Sequence, residues 1–279
     1  MNTFMAVILG LIQGLTEFLP VSSSGHLSIF ENLFNIDESH ILLYAAILHL
    51  GTLASVFVVY RKDIAELFKE LFGLFSDVAH GKGMRINSSP TRRLGAMIVI
   101  SAIPTGFVGY TFSSFFEGLY AKAIVIGICL IITGTILFLA ERVKGKNKGI
   151  YKMRFRDAFF VGLCQSVAIF PGISRSGSTL VGSLVCGLNR PLAVKYAFLM
   201  SIPPIGASGI MELIGALGQG TGDISILSII IGVAVAFVAG LAAIKLMIKI
   251  VTDKSLIGFS IYTWIAGAAV ILLFVLGIL

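Results

Sequence analysis

The chain has 279 residues, of which 57% are hydrophobic and 13% are charged, and its mean hydropathy is +0.98. About a quarter of the residues of a soluble domain are charged, so this composition excludes a soluble protein and indicates an integral membrane protein. The formal net charge of +7 would also suit a nucleic-acid-binding protein. Here, however, most basic residues lie between apolar stretches, which is typical of the cytoplasmic loops of a membrane protein. We therefore predict no nucleic-acid partner.

Two of the apolar regions are interrupted near their middle by a proline and a polar run. These are residues 4–34, interrupted at Pro20, and residues 158–190, interrupted at Pro171. Each half is too short for a hydrocarbon core of about 30 Å, so we predict two re-entrant helix hairpins. Six other regions are long enough to cross the core and are predicted as spanning helices: 41–60, 94–112, 121–140, 193–213, 225–248 and 257–278. The predicted fold is an all-α polytopic membrane protein.

The positions of the 21 lysines and arginines predict the orientation. All but Lys122 and Arg175 lie in four segments that the positive-inside rule assigns to the cytoplasm, and these are 61–93, 142–156, 190–195 and 245–254. Both termini and the base of the first hairpin then lie outside, and the second hairpin enters from the cytoplasm. The first residues lack the basic segment and cleavage site of a signal peptide, so we expect them to stay in the folded protein.

Hairpins that enter from opposite faces predict an inverted repeat within a single membrane domain. "GLIQGLTEFLPVSSSGHL" (10–27) aligns with "GLCQSVAIFPGISRSGSTL" (162–180), with Gln13 opposite Gln165. We place the two repeats at about residues 1–142 and 158–279. In such folds the tips of the broken helices meet near the bilayer midplane, where a ligand site forms.

The two tips carry polar residues that are costly in hydrocarbon and are therefore expected to line a site. Glu17 and His26 come from the first tip and Arg175 from the second, and a charged pair between Glu17 and Arg175 is expected. The glycines and the helix start after Pro171 favour an anion at the free amides, and an arginine fork suits a phosphate. The candidate substrate-binding residues are Gln13, Ser22, Ser24, Ser174, Ser176, Gly177, Ser178 and Thr179.

The two motifs also carry a resemblance. "QGLTEFLPVSSSGH" resembles the (E/Q)xxxE signature and "PGISRSGST" resembles the PGxSRSxxT signature of the bacterial undecaprenyl-diphosphate phosphatase family associated with bacitracin resistance. The resemblance implies hydrolysis of a polyprenyl diphosphate to the monophosphate carrier of wall-polymer synthesis. It also implies a bacterial inner-membrane protein whose site opens outward, and a divalent cation, usually Mg²⁺. The catalytic residues carried over from the motifs are Glu17, Ser23, His26 and Arg175.

From the chemistry of the residues, Ser23 is the candidate nucleophile or the group that positions water, and His26 the general base and then acid. A hydrogen bond between them is expected because they share one tip, and which of the two takes the phosphoryl group stays open. Glu17 is expected to orient this pair or to bind Mg²⁺.

Two other functions compete with the phosphatase. A polyprenyl-phosphate flippase would use the same fold and the same arginine, since inverted repeats are typical of transporters. A structural Glu17–Arg175 pair would join the hairpins without any chemistry, but it leaves the serines and His26 unexplained. His49 is interpreted as a packing or cavity-edge residue, and Cys129, Cys164 and Cys186 as packing residues. The oligomeric state, a homodimer included, stays open.

Overall fold

The computed structural model describes residues 3–34, 38–120, 122–143, 147–217 and 225–279. Its described residues form α-helices and no β-strand, apart from one isolated bridge between Lys148 and Leu188. Thirteen α-helices are present in these ranges: α1 (Thr3–Phe18), α2 (Ser23–Leu33), α3 (Glu38–Val59), α4 (Arg61–Ala79), α5 (Pro90–Thr111), α6 (Ser113–Tyr120), α7 (Ala123–Glu141), α8 (Phe155–Val167), α9 (Arg175–Val185), α10 (Arg190–Leu199), α11 (Ile202–Leu217), α12 (Ile226–Asp253) and α13 (Ile257–Val275). The predicted all-helical class is confirmed.

Several of these helices are long and apolar enough to cross a membrane. Four of them meet this condition alone, namely α5, α7, α12 and α13, and the pair α3–α4 meets it if the two helices are counted together. The chain is therefore a polytopic membrane protein with four or five candidate spans among its described residues.

The region 193–213, predicted as one spanning helix, forms two separate helices. Helix α10 ends at Leu199 and α11 begins at Ile202, so neither reaches the length of a span. Pro203 and Pro204 lie in the first turn of α11, where a backbone N–H has no intrahelical acceptor, so the lack of an N–H in proline costs nothing there. The next amide, that of Ile205, donates to the carbonyl oxygen of Ser201 at 3.1 Å. The two prolines thus begin a helix here instead of bending one.

Helix α4 turns by 85° away from α3. Three of its acidic residues contact the rest of the protein: Glu70 and Asp77 accept hydrogen bonds from Arg92 at 2.8 and 2.6 Å, and Asp63 pairs with Lys195. Its phenylalanines point away from the protein and are exposed: Phe68, Phe72 and Phe75. An apolar row on a helix that leaves a spanning helix at nearly a right angle is typical of an interfacial helix.

Glycines allow three helix pairs to approach closely. A Cβ on Gly10 of α1 would lie 2.6 Å from the carbonyl oxygen of Gly232 in α12, and a Cβ on Gly162 of α8 would lie 2.3 Å from that of Ser101 in α5. Between α7 and α13 the contact is mutual, since Gly127 and Gly267 each face the carbonyl oxygen of the other. Distances below 3 Å leave no room for a methyl group, so these crossings fix the frame around the hairpins.

The chain breaks within both predicted hairpins and the tips of the two helix pairs meet, while their re-entry from the membrane faces stays a prediction. The first breaks between α1 and α2 and the second between α8 and α9. Ser176 Oγ of the second tip donates to the carbonyl oxygen of Leu19 in the first at 3.1 Å. A Cβ on Gly25 would lie 3.1 Å from the Cα of Gly172, so the two backbones touch.

Candidate active site

Each tip ends at the capped N-terminus of a helix. Ser22 caps α2, where its Oγ accepts the amide of Gly25 at 3.3 Å, and Ser174 caps α9, where its Oγ accepts the amide of Gly177 at 3.1 Å. The two caps share the pattern of a serine three residues before a glycine. Because the first amides of a helix lack intrahelical acceptors and carry the positive end of its dipole, two such ends are directed at the junction of the tips.

Helix α7 supports the second tip from behind. Thr133 Oγ1 donates to the carbonyl oxygen of Gly172 at 2.9 Å and accepts the amide of Ser174 at 3.1 Å. Gly172 adopts φ 95°, a conformation that favours glycine, and a Cβ there would lie 2.5 Å from the carbonyl oxygen of Ile126. The turn before Arg175 is therefore held against a spanning helix.

Glu17 is the centre of the site. Its side chain is buried, and its Oε1 accepts from Nη2 of Arg175, which confirms the expected pair. Its Oε2 accepts from Ser23 Oγ at 2.5 Å and from Gln13 Nε2 at 2.9 Å. A buried carboxylate with this many donors is stabilised in its charged form, as its position in an apolar protein requires.

His49 of α3 also faces Glu17, which agrees with the cavity-edge alternative of the sequence interpretation. Its Nε2 lies 3.6 Å from Oε2 of Glu17, and its Nδ1 lies 2.7 Å from the carbonyl oxygen of Ala45. Since a carbonyl only accepts, Nδ1 carries a proton and Nε2 is the nitrogen directed at the carboxylate. A third helix therefore contributes a titratable group to the site.

His26 does not make the expected hydrogen bond with Ser23. Its Nδ1 lies 2.7 Å from the carbonyl oxygen of Ser22, and its Nε2 lies 2.7 Å from the hydroxyl of Tyr262 in α13. The carbonyl oxygen of Ser22 binds Nδ1, and this contact directs the other side of the His26 ring toward α13. Ser23, one turn away, bonds to Glu17 instead.

The remaining predicted residues surround this centre. Ser24 Oγ lies 3.4 Å from Ser22 Oγ, and Ser174 Oγ lies 3.2 Å from Ser176 Oγ. Thr179 Oγ1 donates to backbone carbonyls of its own helix, which holds it away from a ligand. Ser178 Oγ is buried and has no hydrogen-bond partner among the described atoms.

The donor set can take part in binding a hard cation. Gln13 Oε1 is buried and has no partner among the described atoms, and it lies on the helix face of Glu17. Among the described residues no three His, Cys, Asp or Glu side chains form a metal cluster. Mg²⁺ is commonly held by one or two protein oxygens together with water and phosphate, so Glu17 and Gln13 fit as such a partial set.

Comparisons with known proteins identify the family of the chain. The family model described as "Bacitracin resistance protein BacA" matches residues 6–269. The chain belongs to this family. A protein from Alkaliphilus metalliredigens named undecaprenyl-diphosphatase is 46% identical over 272 residues, and one of the same name from Carboxydothermus hydrogenoformans is 40% identical over 275 residues, with 98% of this chain and 98% of each relative covered. A third, from Bacteroides thetaiotaomicron, is 40% identical and covers 98% of this chain and 99% of its own length.

Sequence reasoning missed Tyr262 of this BacA family site, and it identified His49 only as a packing or cavity-edge residue. Both lie in long helices, so no break, proline or glycine turn marks them. Their only signal is a polar side chain within an apolar run, which predicts a cavity or a partner but does not identify it.

Proposed function

We propose that the protein hydrolyses undecaprenyl diphosphate to undecaprenyl monophosphate and inorganic phosphate, which returns the lipid carrier to wall-polymer synthesis. The observation that carries the proposal is the convergence of Arg175, Ser23 and Glu17 at two helix N-termini inside a membrane protein. The name shared by full-length relatives supports the same substrate.

The phosphate-binding part of the site is the start of α9. Arg175 uses Nη2 for Glu17, and its other N–H groups have no acceptor among the described residues. The amides of Arg175 and Ser176 precede the capped Gly177 and are further donors. Together they offer a diphosphate several N–H groups and a positive charge, which is what a transferring phosphoryl group needs.

The reactive part is the hydrogen bond between Ser23 and Glu17. When Ser23 Oγ attacks the terminal phosphorus, or a water attacks from the same position, Oε2 of Glu17 lies where it accepts the proton. The attack breaks the bond from phosphorus to the bridging oxygen, and the monophosphate lipid leaves. In the Ser23 route a water then attacks the phosphoserine, which releases inorganic phosphate and restores the Ser23 hydroxyl. His26 is proposed as an acid–base group that acts through Nε2, and which of Ser23 and His26 takes the phosphoryl group stays open.

A divalent cation, proposed as Mg²⁺, would be held by Glu17 and the unpartnered Oε1 of Gln13. When bound there it would offset the negative charge of the diphosphate beside the carboxylate. The protein's own contribution is to keep Glu17 charged and oriented through Arg175, Ser23 and Gln13.

We further propose six membrane passages and an inverted repeat. The passages are α3, α5, α7, the broken pair α10–α11, α12 and α13, and the hairpins α1–α2 and α8–α9 enter from opposite faces. Three pairs of residues with matching roles support the repeat, because the two members of each pair are separated by the same number of residues. The pairs are Gly10 and Gly162 in helix crossings, Ser22 and Ser174 as caps, and Gly25 and Gly177 as capped residues. The packing partners correspond as well, since α1 crosses α12 as α8 crosses α5.

The proposed orientation follows the basic residues. It puts the two repeats, about 1–142 and 158–279, into a single domain of a bacterial inner membrane, with both termini and the opening of the site outside. The charged contacts of α4 with Arg92 and Lys195 support a cytoplasmic position for that helix, because they gather basic side chains at one end of the bundle.

The experiment that tests the function measures phosphate release from undecaprenyl diphosphate by purified protein in detergent, with and without a chelator. We expect turnover that the chelator abolishes and that added Mg²⁺ restores. Glu31→Gln is a matched control for Glu17→Gln, because Glu31 is a half-buried acid of α2 outside the site. No phosphate release under any ion would contradict the proposal, and transport of labelled lipid across vesicles without hydrolysis would favour the flippase.

A further inference from the structure

Helix α13 contributes a side chain that reaches His26. The hydroxyl of Tyr262 lies 2.7 Å from Nε2, and the two rings are parallel within 8° with centroids 5.7 Å apart. The contact joins residues far apart in the chain, one in the first hairpin and one in the last helix. It therefore depends on the tertiary fold and not on local structure.

The hydrogen bonds of His26 define its protonation. The carbonyl oxygen of Ser22 accepts from Nδ1, so in the neutral ring Nε2 carries the lone pair and accepts the Tyr262 hydroxyl proton. In the charged ring Nε2 donates, and the same hydroxyl oxygen accepts. A phenol serves both states without moving, which is a property that a phenylalanine at this position lacks.

The helix that carries Tyr262 is held rigidly. Ser260 and Thr263, on either side of it, are fully buried, and a Cβ on Gly134 of α7 would lie 2.6 Å from Thr263 Oγ1 and 2.8 Å from the carbonyl oxygen of Ser260. Helix α2 also packs on α7, since a Cβ on Gly25 would lie 3.3 Å from Ile126 of that helix. Because α7 contacts both partners, the distance between His26 and Tyr262 is fixed by the frame.

We propose that Tyr262 is a positioning residue of the phosphatase: it acts through His26 by holding the imidazole and completing its hydrogen bonding in both protonation states. This rests on the proposed function. His26 is 8% exposed and Tyr262 is 47% exposed, so the imidazole is the more enclosed partner of the pair.

The test compares Tyr262→Phe with Tyr110→Phe in full-length protein. Tyr110 is 85% exposed in α5 and has no hydroxyl partner among the described residues, so it reports the general effect of a tyrosine-to-phenylalanine change. For Tyr262→Phe we expect an unchanged melting temperature, KM for undecaprenyl diphosphate within about twofold, and kcat reduced by about tenfold or more, which is part of the roughly 10²–10⁴ that a general acid–base group supplies.

A second measurement reads His26 directly. In protein labelled with ¹⁵N-histidine, the Nε2 resonance of His26, assigned by its loss in His26→Asn, should move in Tyr262→Phe and stay in place in Tyr110→Phe. Wild-type kcat in Tyr262→Phe overturns the proposal, and so does a lower kcat with an unchanged His26 spectrum, because Tyr262 would then act on the fold alone. If the unsubstituted protein releases no phosphate, the proposed function fails, while the spectra still decide whether Tyr262 binds His26.

Discussion

The substitution Arg175→Lys separates a phosphoryl clamp from a structural ion pair. Lysine keeps the positive charge beside Glu17 but replaces the planar fork by a single ammonium group. The variant therefore removes the donors that have no acceptor in the described structure, while the contact with the carboxylate can be retained.

The expected magnitudes follow from burial and from the number of donors. Glu17 has a side chain that is 2% exposed, and removing its partner altogether, as in Arg175→Ala, should destabilise the protein by up to about 3 kcal/mol, the lower end of the range for a buried pair, because Ser23 and Gln13 still donate to the carboxylate. Arg175→Lys keeps a cation and should stay within about 1 kcal/mol. Loss of one transition-state donor typically costs about 10²–10³ in turnover, so we expect at least a hundredfold loss.

The assay is phosphate release from undecaprenyl diphosphate, together with thermal unfolding in the same detergent. Arg142→Lys is the matched control, because that guanidinium lies over the ring of Phe138 and outside the site. A variant Arg175→Lys that unfolds normally and hydrolyses normally would refute the clamp and restore the structural interpretation of the pair.

Three further outcomes are expected. Glu17→Gln should stay folded and lose most of its turnover, as measured by circular dichroism and phosphate release; near-normal turnover would leave Glu17 a structural role only. Single cysteines should react with an impermeant thiol reagent applied from outside at Ser225 and Gly277 but not at Lys82 and Ser255, and the reverse pattern would exclude the proposed orientation. The hydrogen bond from Arg92 lowers the pKa of Asp77 below its ordinary value of 3.8, so the stability that this pair adds is complete above that pH and is lost as the pH falls through the lowered pKa. Arg92 also binds Glu70, whose pKa Ser89 and Arg92 lower from its ordinary 4.5. The difference in melting temperature between the unsubstituted protein and Arg92→Gln should therefore persist from pH 7 to 5 and shrink below about pH 4.5; a constant difference would contradict it.

The parts of the site that could be predicted are those that interrupt an apolar pattern. Pro20, Pro171 and the serine-rich turns predicted both hairpins, and the cost of unpaired charge in an apolar segment predicted the contact of Glu17 with Arg175. The hairpins depend on residues close together in the chain, and the contact depends on the need of one buried acid for one buried base. A sequence contains both kinds of information.

The parts that could not be predicted depend on how helices cross. His49 and Tyr262 reach the tips because α3 packs beside α1 and because α13 packs on α7 through the glycine contact of Gly127 with Gly267. The contacts of α4 likewise depend on tertiary packing, since its acidic residues pair with Arg92 and Lys195.

A comparison of two arginines shows why the pair in the site is not only structural. Arg190, between the ends of α7 and α12, donates through Nη2 to both carboxylate oxygens of Glu141 and through Nη1 to the carbonyl oxygens of Val251 and Lys254. Such a guanidinium has its acceptors on the protein itself, as a residue that joins helices should.

Arg175 is arranged differently. Glu17 offers it one oxygen, because the other accepts from Ser23 and Gln13, and the remaining N–H groups find no acceptor in the described part of the chain. The Arg175 side chain is 21% exposed, so its unused N–H groups can reach an anion that enters the site, and the free amides of Arg175 and Ser176 belong to the same helix start. The pair therefore holds Arg175 in place while it leaves the fork open for an anion, and a phosphate is the anion whose geometry matches that fork.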